Sequence, residues 1–388
     1  MFQVDLPAVP YSDPWNVPLH ERIKTLARGK RRVAYFYETA NNSTFRYRAY
    51  NMVQVLNDEK NCDVSASYFF LDDLHRMDEI AGYADLLVIC RSGYSHRIHQ
   101  LITRFRTQRK RVLFDIDDFV FNTSYAHLII STLGQDTDQP EVWDYWFAYL
   151  GRMGETLRMC DGAITTNDYL AARIAEFSGS PVNVVPNFIN KEQLNHSEMM
   201  FRSKEVSGFS RDDKICLGYF SGSPSHNLDY AIITSALEEV LENDPRVELM
   251  VVGYIEAGPE LSRFGRRIKR QHFHDYVNLQ RLVGSVEFNL MPLQLNDFTN
   301  CKSDLKYFEA AIVGTLSIAS PTCTYAAAIQ DGENGYIAQA HQWASVIQRA
   351  IANIGTYSDK AATAYADARL KNGWFNQRES ILRALGME

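Results

Sequence analysis

The feature that most constrains the fold is an alternation of short apolar runs, rich in β-branched residues, with segments of helical period. Strands that are covered by helices on both faces show this pattern, since each crossover between parallel strands carries a helix. The alternation runs through the first half of the 388 residues, breaks at a polar segment, and then starts again. It therefore predicts two parallel sheets in tandem.

The chain length agrees with two domains, because a single hydrophobic core usually stops growing at roughly 250 to 300 residues. The predicted fold class is α/β, with two Rossmann-like doubly wound parallel-sheet domains that face a cleft. We predict domain boundaries at 1–188 and 189–360, and a C-terminal helix within 361–388 that packs back on the N-terminal domain. Ligands of open parallel sheets bind beyond the carboxyl ends of the strands, so the chemistry is expected in the cleft.

Six strands are predicted before the break and five after it. They cover residues 31–38, 62–70, 84–91, 110–117, 161–167 and 182–187, then 214–222, 247–254, 285–293, 315–320 and 335–338. Helices are predicted between them, including one from Leu228 to Glu242 and one from Ser303 to Val313. The polar segment that starts with "VVPNFINKEQLN" shows no clear period, and its beginning is interpreted as the interdomain linker.

Composition and charge argue against several classes of protein. A net charge of -7 disfavours a dedicated nucleic-acid binder, and 46% hydrophobic residues disfavour disorder. The six cysteines are far apart and form no pattern with zinc-ligand spacing, so we expect reduced thiols. The sequence has no signal-peptide pattern and no run of about 20 apolar residues. We expect a cytoplasmic protein, with the inner face of the membrane as an alternative location, and no nucleic-acid partner.

The stretch "KSDLKYFEAA" predicts an anion site. Ser303 is a good N-cap residue, but Lys306 occupies the position where a capping box would place Glu or Gln. A phosphate at this helix end would accept from backbone N–H groups, while Lys302 and Lys306 neutralise its charge. Glu309 shares the face of Lys306 and could accept hydrogen bonds from a ribose or another diol. An ordinary surface helix with Lys and Glu pairing is the alternative.

The longer stretch "KSDLKYFEAAIVGTLSIAS", followed by "IQDGENGYIA", resembles the nucleotide-sugar segment of GT-B retaining glycosyltransferases of family 4, also called group 1. That family carries E-x7-E at the helix and then D-G-x-N-G. By this resemblance Glu309 is the second glutamate and would hold the donor ribose, whereas the first falls on Cys301, a departure from the pattern. "VVPNFIN" is similar to the family's motif at the domain junction.

The resemblance implies an acceptor-side domain at 1–188 and a nucleotide-sugar-binding domain at 189–360. It also implies a dTDP- or UDP-linked donor, a glycan or lipid-linked acceptor, a role in bacterial surface polysaccharide, and no cofactor besides the donor.

The stretch "GYFSGSPSHNLDYAI" leaves a strand and enters a helix through a turn of small residues. Gly222 and Ser223 would let the backbone approach a phosphate, and His226 could donate to it. Most of the family carries an Arg and a Lys in this loop, and both are missing here. Capping of the next helix by Ser225 and Asn227 is the alternative.

Three carboxylates follow the strand in "VLFDIDDFVFN": Asp115, Asp117 and Asp118. Carboxylates this close repel each other, so stability alone rarely keeps them. They could bind a divalent metal, supply the aspartyl nucleophile of a haloacid-dehalogenase-like phosphatase, or line the acceptor side of a GT-B cleft. The tandem architecture favours the third interpretation, and in the family this region lies near the transferred sugar. Asp117 is the preferred catalytic candidate.

The first strand-to-helix loop supplies Asn42, Ser43 and Arg46 as candidates for contact with phosphate or acceptor, while Arg48 is interpreted as a surface arginine. The run 94–112 combines an apolar face with a basic rim, which indicates either a core-facing helix or a contact with anionic lipid. The aromatic run "WDYWFAYL" at 143–150 belongs either to the acceptor side or to the core.

Together these features predict a metal-independent, retaining glycosyltransferase with Asp117, Asp118 and Lys302 as catalytic residues. Two alternatives remain at this point. One is an aspartate-based, Mg²⁺-dependent phosphatase or phosphotransferase, and the other is a non-catalytic module that binds sugar nucleotides or glycans.

Overall fold

The computed structural model describes residues 1–2, 7–58, 63–222, 226–255 and 258–388, and it contains two sheets of six parallel strands. The first sheet has the order β2-β1-β3-β4-β5-β6 and the second the order β12-β11-β10-β7-β8-β9. The strands are β1 Arg31–Phe36, β2 Val64–Phe69, β3 Leu86–Cys90, β4 Arg111–Asp115, β5 Ala163–Thr165, β6 Val182–Val184, β7 Ile215–Ser221, β8 Val247–Gly253, β9 Ile268–Gln271, β10 Phe288–Met291, β11 Leu316–Ala319 and β12 Tyr336–Ile337.

Helices cover both faces of each sheet. Those of the first half are α1 Leu19–Leu26, α2 Asn51–Leu56, α3 Met77–Tyr83, α4 His96–Thr107, α5 Ala126–Thr132, α6 Pro140–Arg158 and α7 Asp168–Ser178. Those of the second half are α8 Lys191–Val206, α9 Asn227–Asn243, α10 Pro259–Ser262, α11 Tyr276–Ser285, α12 Asp297–Asn300, α13 Leu305–Ala311, α14 Cys323–Ala328, α15 Trp343–Ala352, α16 Tyr357–Asn372 and α17 Arg378–Leu385.

The apolar runs of the first sheet are continuous because both faces of the sheet are buried. Along β1, Ala34 and Phe36 pack into one core while Val33 and Tyr35 pack into the core on the opposite face. Successive side chains of a strand point to opposite faces, so a strand between two cores needs an apolar residue at every position. The predicted fold class, with two doubly wound parallel sheets, is confirmed.

Each sheet has one point at which the strand order reverses. In the first sheet it lies between β1 and β3, and in the second it lies between β7 and β10. The loops that leave neighbouring strands at such a point diverge and open a crevice beyond the carboxyl ends. These two crevices are where binding residues are expected.

The segment after residue 190, predicted to lack regular structure, is a helix, so that prediction was wrong. Asn190 caps α8, because its side chain accepts from the backbone N–H of Gln193 at 2.9 Å. The buried face of α8 carries the polar side chains of Gln193, Ser197 and Lys204 beside Leu194. These polar groups are hydrogen bonded inside the protein, and they conceal the helical period in the sequence.

The edge strand β9 was also missed. It overlaps the basic run at 263–270, and among the described strands it pairs only with β8. Arg267, directly before it, donates to the carbonyl oxygen of Leu241 at 2.7 Å, near the end of α9. An edge strand pairs on one side only and needs fewer apolar residues, so its sequence signal is weak.

The chain crosses between the two halves at two adjacent points. The backbone N–H of Ile189 donates to the carbonyl oxygen of Asn372 at 2.8 Å, so the outgoing and returning segments are paired. After this crossing, α17 packs Ile381 and Leu385 into the core beneath the first sheet. The C-terminal helix therefore returns to the first sheet, while the exact domain boundaries stay a prediction.

The apolar face of α4 lies in the core. Ile98, Leu101, Ile102 and Phe105 are buried there, so the alternative in which this face contacts lipid was wrong and the core-facing interpretation holds. Within the described part of the chain, none of the helices combines the length and the apolar character needed to cross a bilayer.

Candidate active site

The carboxyl end of β4 carries the aspartate cluster, and its first member is neutralised by a buried arginine. Asp115 is 1% exposed and accepts from Arg48 at 2.7 Å (Nε) and 2.9 Å (Nη2). Burial raises the pKa of the Asp115 carboxyl to about 6, although Arg48 opposes that rise. Arg48 is fully buried, so the interpretation of Arg48 as a surface residue was wrong. Its charge is kept inside because it balances Asp115.

The other two carboxylates are also held by cations of the protein. Asp117 accepts from Arg91 Nη1 at 3.1 Å and from the Thr44 hydroxyl at 2.9 Å. Asp118 accepts from Lys302 Nζ at 2.8 and 2.9 Å, and Arg91 Nη2 lies 3.5 Å from it. Burial alone would raise the pKa of Asp118, but Lys302 and Arg91 hold it below its ordinary value.

These ion pairs help to choose among the three interpretations of the aspartate cluster. Asp115 is buried, and both of its carboxylate oxygens accept hydrogen bonds from Arg48. It therefore cannot reach a phosphorus atom as a nucleophile. No group of three His, Cys, Asp or Glu side chains in the described ranges is arranged to hold a metal ion. Asp117 remains partly exposed at the cleft, with 15% of its side-chain surface accessible. The geometry therefore favours the acceptor-side interpretation over the phosphatase.

Arg91 is a site residue that sequence reasoning missed. It directly follows β3 and has a φ of 34°, in the left-handed region that residues other than glycine rarely adopt. Strained backbone of this kind persists where surrounding contacts enforce it, and it concentrates at functional sites. Burial alone would lower the pKa of the Arg91 guanidinium, but Asp117 and Tyr149 raise it well above its ordinary value. A charged residue immediately after an apolar strand was the available signal.

The stretch "KSDLKYFEAA", which was predicted to form an anion site, starts its helix later than predicted. The helix starts at Leu305 rather than Ser303, and neither Ser303 nor Asp304 caps it through a side chain. The Ser303 hydroxyl instead accepts from Asn187 Nδ2 at 3.0 Å, at the junction of the two halves. That bond occupies the hydroxyl, so the N-cap prediction for Ser303 was wrong. Asp304 has a pKa raised to about 6 by burial.

Lys306 presents an ammonium group without a partner among the described residues: neither a hydrogen bond nor an ion pair holds its Nζ. The nearest ring, Tyr219, has its centroid 5.6 Å from that atom. Burial lowers the pKa of Lys306, and the neighbouring charge of Lys302 lowers it further, against the opposing effect of Asp229 and Glu309. Holding a charge partly away from water without a counter-charge is costly, so this ammonium group is suited to an anionic ligand.

His226 lies beside Lys306. Its Nδ1 is 2.9 Å from Asp229, and Asp229 also accepts from the backbone N–H of Gln294 at 3.0 Å. Burial lowers the pKa of His226, and Lys306 and Lys302 add to that decrease. Three basic side chains thus converge at the switch point of the second sheet.

The loop that follows β7 lies at the same switch point of the second sheet. Gly222 follows β7 and is exposed, and a Cβ built there would lie in ordinary contact, 4.0 Å, with the ring of Phe273. Gly253, with a φ of 101°, lets the end of β8 approach: a Cβ there would lie 1.9 Å from the carbonyl oxygen of Ser221. The candidate residue Ser223 lies outside the described residues.

Glu309 is held by residues of both halves. Its Oε1 accepts from Gln193 Nε2 at 2.9 Å, from Arg46 Nη2 at 3.3 Å and from the hydroxyl of Tyr47. Arg46 is 4% exposed and lies between the rings of Tyr47 and Tyr276. The structure thus places the predicted candidate Arg46 against Glu309.

The two remaining candidates of the first loop lie at its tip. The side-chain oxygen of Asn42 accepts from the hydroxyl of Tyr11 at 3.1 Å, and the backbone carbonyl oxygen of Asn42 accepts from Arg46 Nε at 2.8 Å. Ser43 is exposed, and both its backbone N–H and its hydroxyl donate to Asn41 at 3.0 Å. These contacts shape the loop and leave Ser43 facing solvent.

The position of the family's first glutamate, Cys301, is buried between the two halves. Its carbonyl oxygen accepts from Asn167 Nδ2 at 2.9 Å, and the neighbouring Phe298 packs into the core of the first half. A glutamate here would place a charge in that apolar contact. The loop before α13 is therefore a structural link between the two halves.

The aromatic run 143–150 lies on α6 and is divided between core and surface. Leu150 is buried, whereas Tyr145 and Phe147 are 61% and 49% exposed on opposite flanks of the helix. The rings of Tyr145 and Tyr149 are nearly parallel, 6.1 Å apart, and Tyr149 is close enough to Arg91 to raise its pKa. One aromatic flank therefore leads from the surface to the aspartate cluster.

Comparison with known proteins finds a family match within the second half. Residues 215–353 match the family model of "Glycosyl transferases group 1". A search of curated proteins found no match.

Solved structures match along nearly the whole chain. Anabaena Alr3699/HepE, in complex with UDP and glucose, is 12% identical with a TM-score of 0.63, over 92% of this chain and 99% of that one. Sucrose-phosphate synthase from Thermosynechococcus elongatus is 13% identical with a TM-score of 0.58, over 90% and 96%. A UDP-forming α,α-trehalose-phosphate synthase from Burkholderia xenovorans is 11% identical with a TM-score of 0.57, over 92% and 99%.

These likenesses establish the GT-B fold, and the family match confirms the predicted resemblance to group 1 glycosyltransferases.

Proposed function

We propose that this chain, in which residues 215–353 form a group 1 glycosyl transferase domain, transfers a sugar from a nucleoside diphosphate sugar to a glycan or lipid-linked acceptor. The observation that carries the proposal is the unpartnered ammonium group of Lys306 beside Lys302 and His226, at the switch point of the second sheet. An unpartnered ammonium group beside two further basic groups suits a diphosphate, which carries several negative oxygens.

The proposed role of these groups is to stabilise the leaving diphosphate. As the bond to the sugar breaks, negative charge grows on the diphosphate. Lys306 meets this charge, and Lys302 contributes while sharing its own charge with Asp118. His226 lies close enough to this charge to donate a hydrogen bond to it. Glu309 would accept from the ribose hydroxyls, as the family resemblance implies.

The reaction is proposed to need no metal ion. Lys306 supplies positive charge in place of a divalent cation, and the carboxylates that would bind such a cation are already paired with Lys302, Arg91 and Arg48. Retention of configuration follows from the family resemblance alone. In this proposal the sugar passes near Asp117, and the Asp117 carboxylate stabilises the positive charge that develops on the anomeric carbon of the sugar.

The acceptor is proposed to lie over Asp117 and the aromatic flank formed by Tyr145 and Tyr149. Aromatic faces and carboxylates suit a carbohydrate, whose ring has apolar C–H faces and a rim of hydroxyls. A lipid carrier on that glycan, a cytoplasmic location at the inner face of the membrane, and a role in bacterial surface polysaccharide belong to the same proposal. UDP and dTDP are the two candidate nucleotides, and they differ in the 2′-hydroxyl of the pentose.

The test is a thermal-shift and calorimetric screen of nucleoside diphosphates, including UDP and dTDP, followed by donor hydrolysis in EDTA. A ligand that prefers the folded state raises the melting temperature with its concentration. Lys306→Met should abolish the shift. The matched control is Lys214→Met, an exposed lysine at the amino end of β7, away from the cleft.

The outcomes separate the remaining functions. A metal requirement that EDTA exposes would contradict the metal-independent mechanism, and an anomer analysis of the product by NMR would test retention. Binding of a nucleotide without any turnover would support the non-catalytic module. Binding that survives Lys306→Met would place the site elsewhere.

A further inference from the structure

We propose that Arg46, Tyr47 and Gln193 act as a clamp on Glu309 and so set how strongly the donor site selects for the ribose 2′-hydroxyl. This inference rests on the proposed function, because it assigns the ribose of a nucleoside diphosphate to Glu309. It adds that selectivity at the donor site is controlled by positioning residues outside the group 1 domain.

The three donors of the clamp all use the same carboxylate oxygen. Gln193, Arg46 and Tyr47 donate to Glu309 Oε1, while Oε2 accepts no bond from the described residues. The Glu309 side chain keeps 15% of its surface accessible. One oxygen is therefore fixed and the other stays available to a ligand.

The clamp is itself held in place. Arg46 donates to the carbonyl oxygen of Asn42 and to Gln193 Oε1, both at 2.8 Å, and its guanidinium lies 4.1 and 4.3 Å from the ring centroids of Tyr47 and Tyr276. Arg46 and Tyr47 begin a π-helical turn, Arg46–Tyr50, a feature frequent at functional sites. The donors thus arrive at Glu309 with little rotational freedom.

The free oxygen points to a diol as its ligand. Glu309 follows Lys306 by three positions, so both lie on one face of α13, and a diphosphate at Lys306 brings the attached ribose towards Glu309. A carboxylate oxygen held at a fixed angle can accept from two vicinal hydroxyls. Removal of one hydroxyl then leaves part of a charged acceptor unsatisfied, which costs affinity.

The experiment measures the dissociation constants of UDP and 2′-deoxy-UDP by calorimetry. In the native protein UDP should bind about tenfold tighter or more, as expected for one hydrogen bond to a charged group. Tyr47→Phe removes one donor without changing shape, and it should reduce this preference to about threefold or less while UDP still binds through Lys306. Gln193→Met, of similar volume, should do the same.

The matched control is Tyr50→Phe. Tyr50 belongs to the same π-helical turn, but its hydroxyl donates to Glu192 at 3.1 Å and not to Glu309. Tyr50→Phe should keep the native preference. A merely structural clamp would lower the melting temperature of the variants without changing the ratio of the two constants.

The outcomes distinguish this inference from the proposed function. If UDP binds and both clamp variants keep the native ratio, the clamp is overturned and the donor site stands. Equal binding of the two nucleotides by the native protein, or tighter binding of the deoxy form, also overturns it. If neither nucleotide binds the native protein, the proposed function fails and the inference fails with it.

Discussion

Lys302 and Asp118 form an ion pair that joins the two halves of the molecule across the cleft, with the ammonium nitrogen 2.8 and 2.9 Å from the two carboxylate oxygens. Lys302 precedes α13 in the second half, and Asp118 follows β4 in the first. The same lysine is proposed to neutralise the diphosphate. In that proposal its charge is shared between the ion pair with Asp118 and the donor.

The first prediction concerns this shared charge. Asp118→Asn should tighten UDP binding by roughly threefold to tenfold, because it releases Lys302 from its carboxylate, while turnover falls. Calorimetry and a transfer assay measure the two effects. Equal UDP affinity in the variant and the native protein would show that Lys302 does not reach the diphosphate.

The pH dependence of stability gives a second readout for the same variant. The pKa of Asp118 is lowered in the folded state, so its contribution to stability is present above the ordinary aspartate pKa and is lost as pH falls through the lowered value. Asp118→Asn should therefore unfold less steeply with acid than the native protein. Urea titrations from about pH 5 down to about pH 2 measure this difference.

The second prediction concerns the buried pair of Arg48 and Asp115. Arg48→Met leaves a buried carboxylate without a partner and should lower the free energy of unfolding by about 3 to 5 kcal/mol at pH 8. The double variant Arg48→Met with Asp115→Leu should lose less, because it removes both charges. Urea unfolding of both variants measures the effect, and equal losses would contradict it.

The loss in Arg48→Met should also depend on pH. The pKa of Asp115 is already raised to about 6 in the folded protein, so the carboxyl favours its neutral form more in the folded state than in the unfolded state. A raised pKa contributes stability that is present below the unfolded value and is lost as pH rises through the folded value. The destabilisation should therefore be smaller at pH 5 than at pH 8.

The fold was largely predictable because buried parallel strands have a strong signature. The run that contains Val33 to Phe36 is apolar at each position, since both faces of the sheet are covered. The strand Ile268–Gln271 was not predictable in the same way, because it is an edge strand with polar residues. Helix Lys191–Val206 escaped prediction because its buried face contains glutamine, serine and lysine.

The part of the candidate site that lies on one helix and in the loop before that helix was predictable from the sequence. Lys306 and Glu309 share a face of one short helix, so their spacing alone placed them together. Arg91, Thr44 and Gln193 reach the site from other elements, and only the tertiary structure brings them to Asp117 and Glu309. Sequence spacing holds no information about such contacts.

The third prediction is that loss of the Lys306 charge increases stability and abolishes nucleotide binding. The pKa of Lys306 is lowered mainly by burial, so charging this lysine costs free energy in the folded protein. Lys306→Met removes that cost and should raise the melting temperature by about 2 °C while it abolishes the shift that UDP causes. A melting temperature that falls would contradict the idea that this charge is kept for a ligand.

The fourth prediction concerns the acceptor side. Tyr145→Ala removes an exposed ring from the flank that leads to Arg91, and it should raise the acceptor KM about fivefold or more, as expected when about 1 kcal/mol of ring contact is lost. Donor hydrolysis should not change. Phe147→Ala is the control, since Phe147 is an exposed ring on the opposite flank of the same helix. Equal effects of the two variants would contradict a sugar subsite at Tyr145.

The fifth prediction is that donor binding takes up a proton at His226. Burial lowers the pKa of His226, and the charges of Lys306 and Lys302 lower it further, against the opposing effect of Asp229. A diphosphate neutralises the two lysines and should raise the pKa of His226. Between the pKa values of the free and bound states, binding therefore takes up protons, and affinity increases as pH falls through that window.

The measurement is calorimetry in buffers with different ionisation enthalpies, because the apparent heat then reports the number of protons taken up. UDP-glucose is the suitable probe, since both phosphates of its diphosphate are esterified or bridged and have no proton to bind near neutral pH. His226→Asn should remove the proton uptake at pH 6 to 7 while Lys306 still holds the ligand. If the native protein and the variant take up the same number of protons, His226 does not face the diphosphate, and the basic wall of the site consists of the two lysines alone.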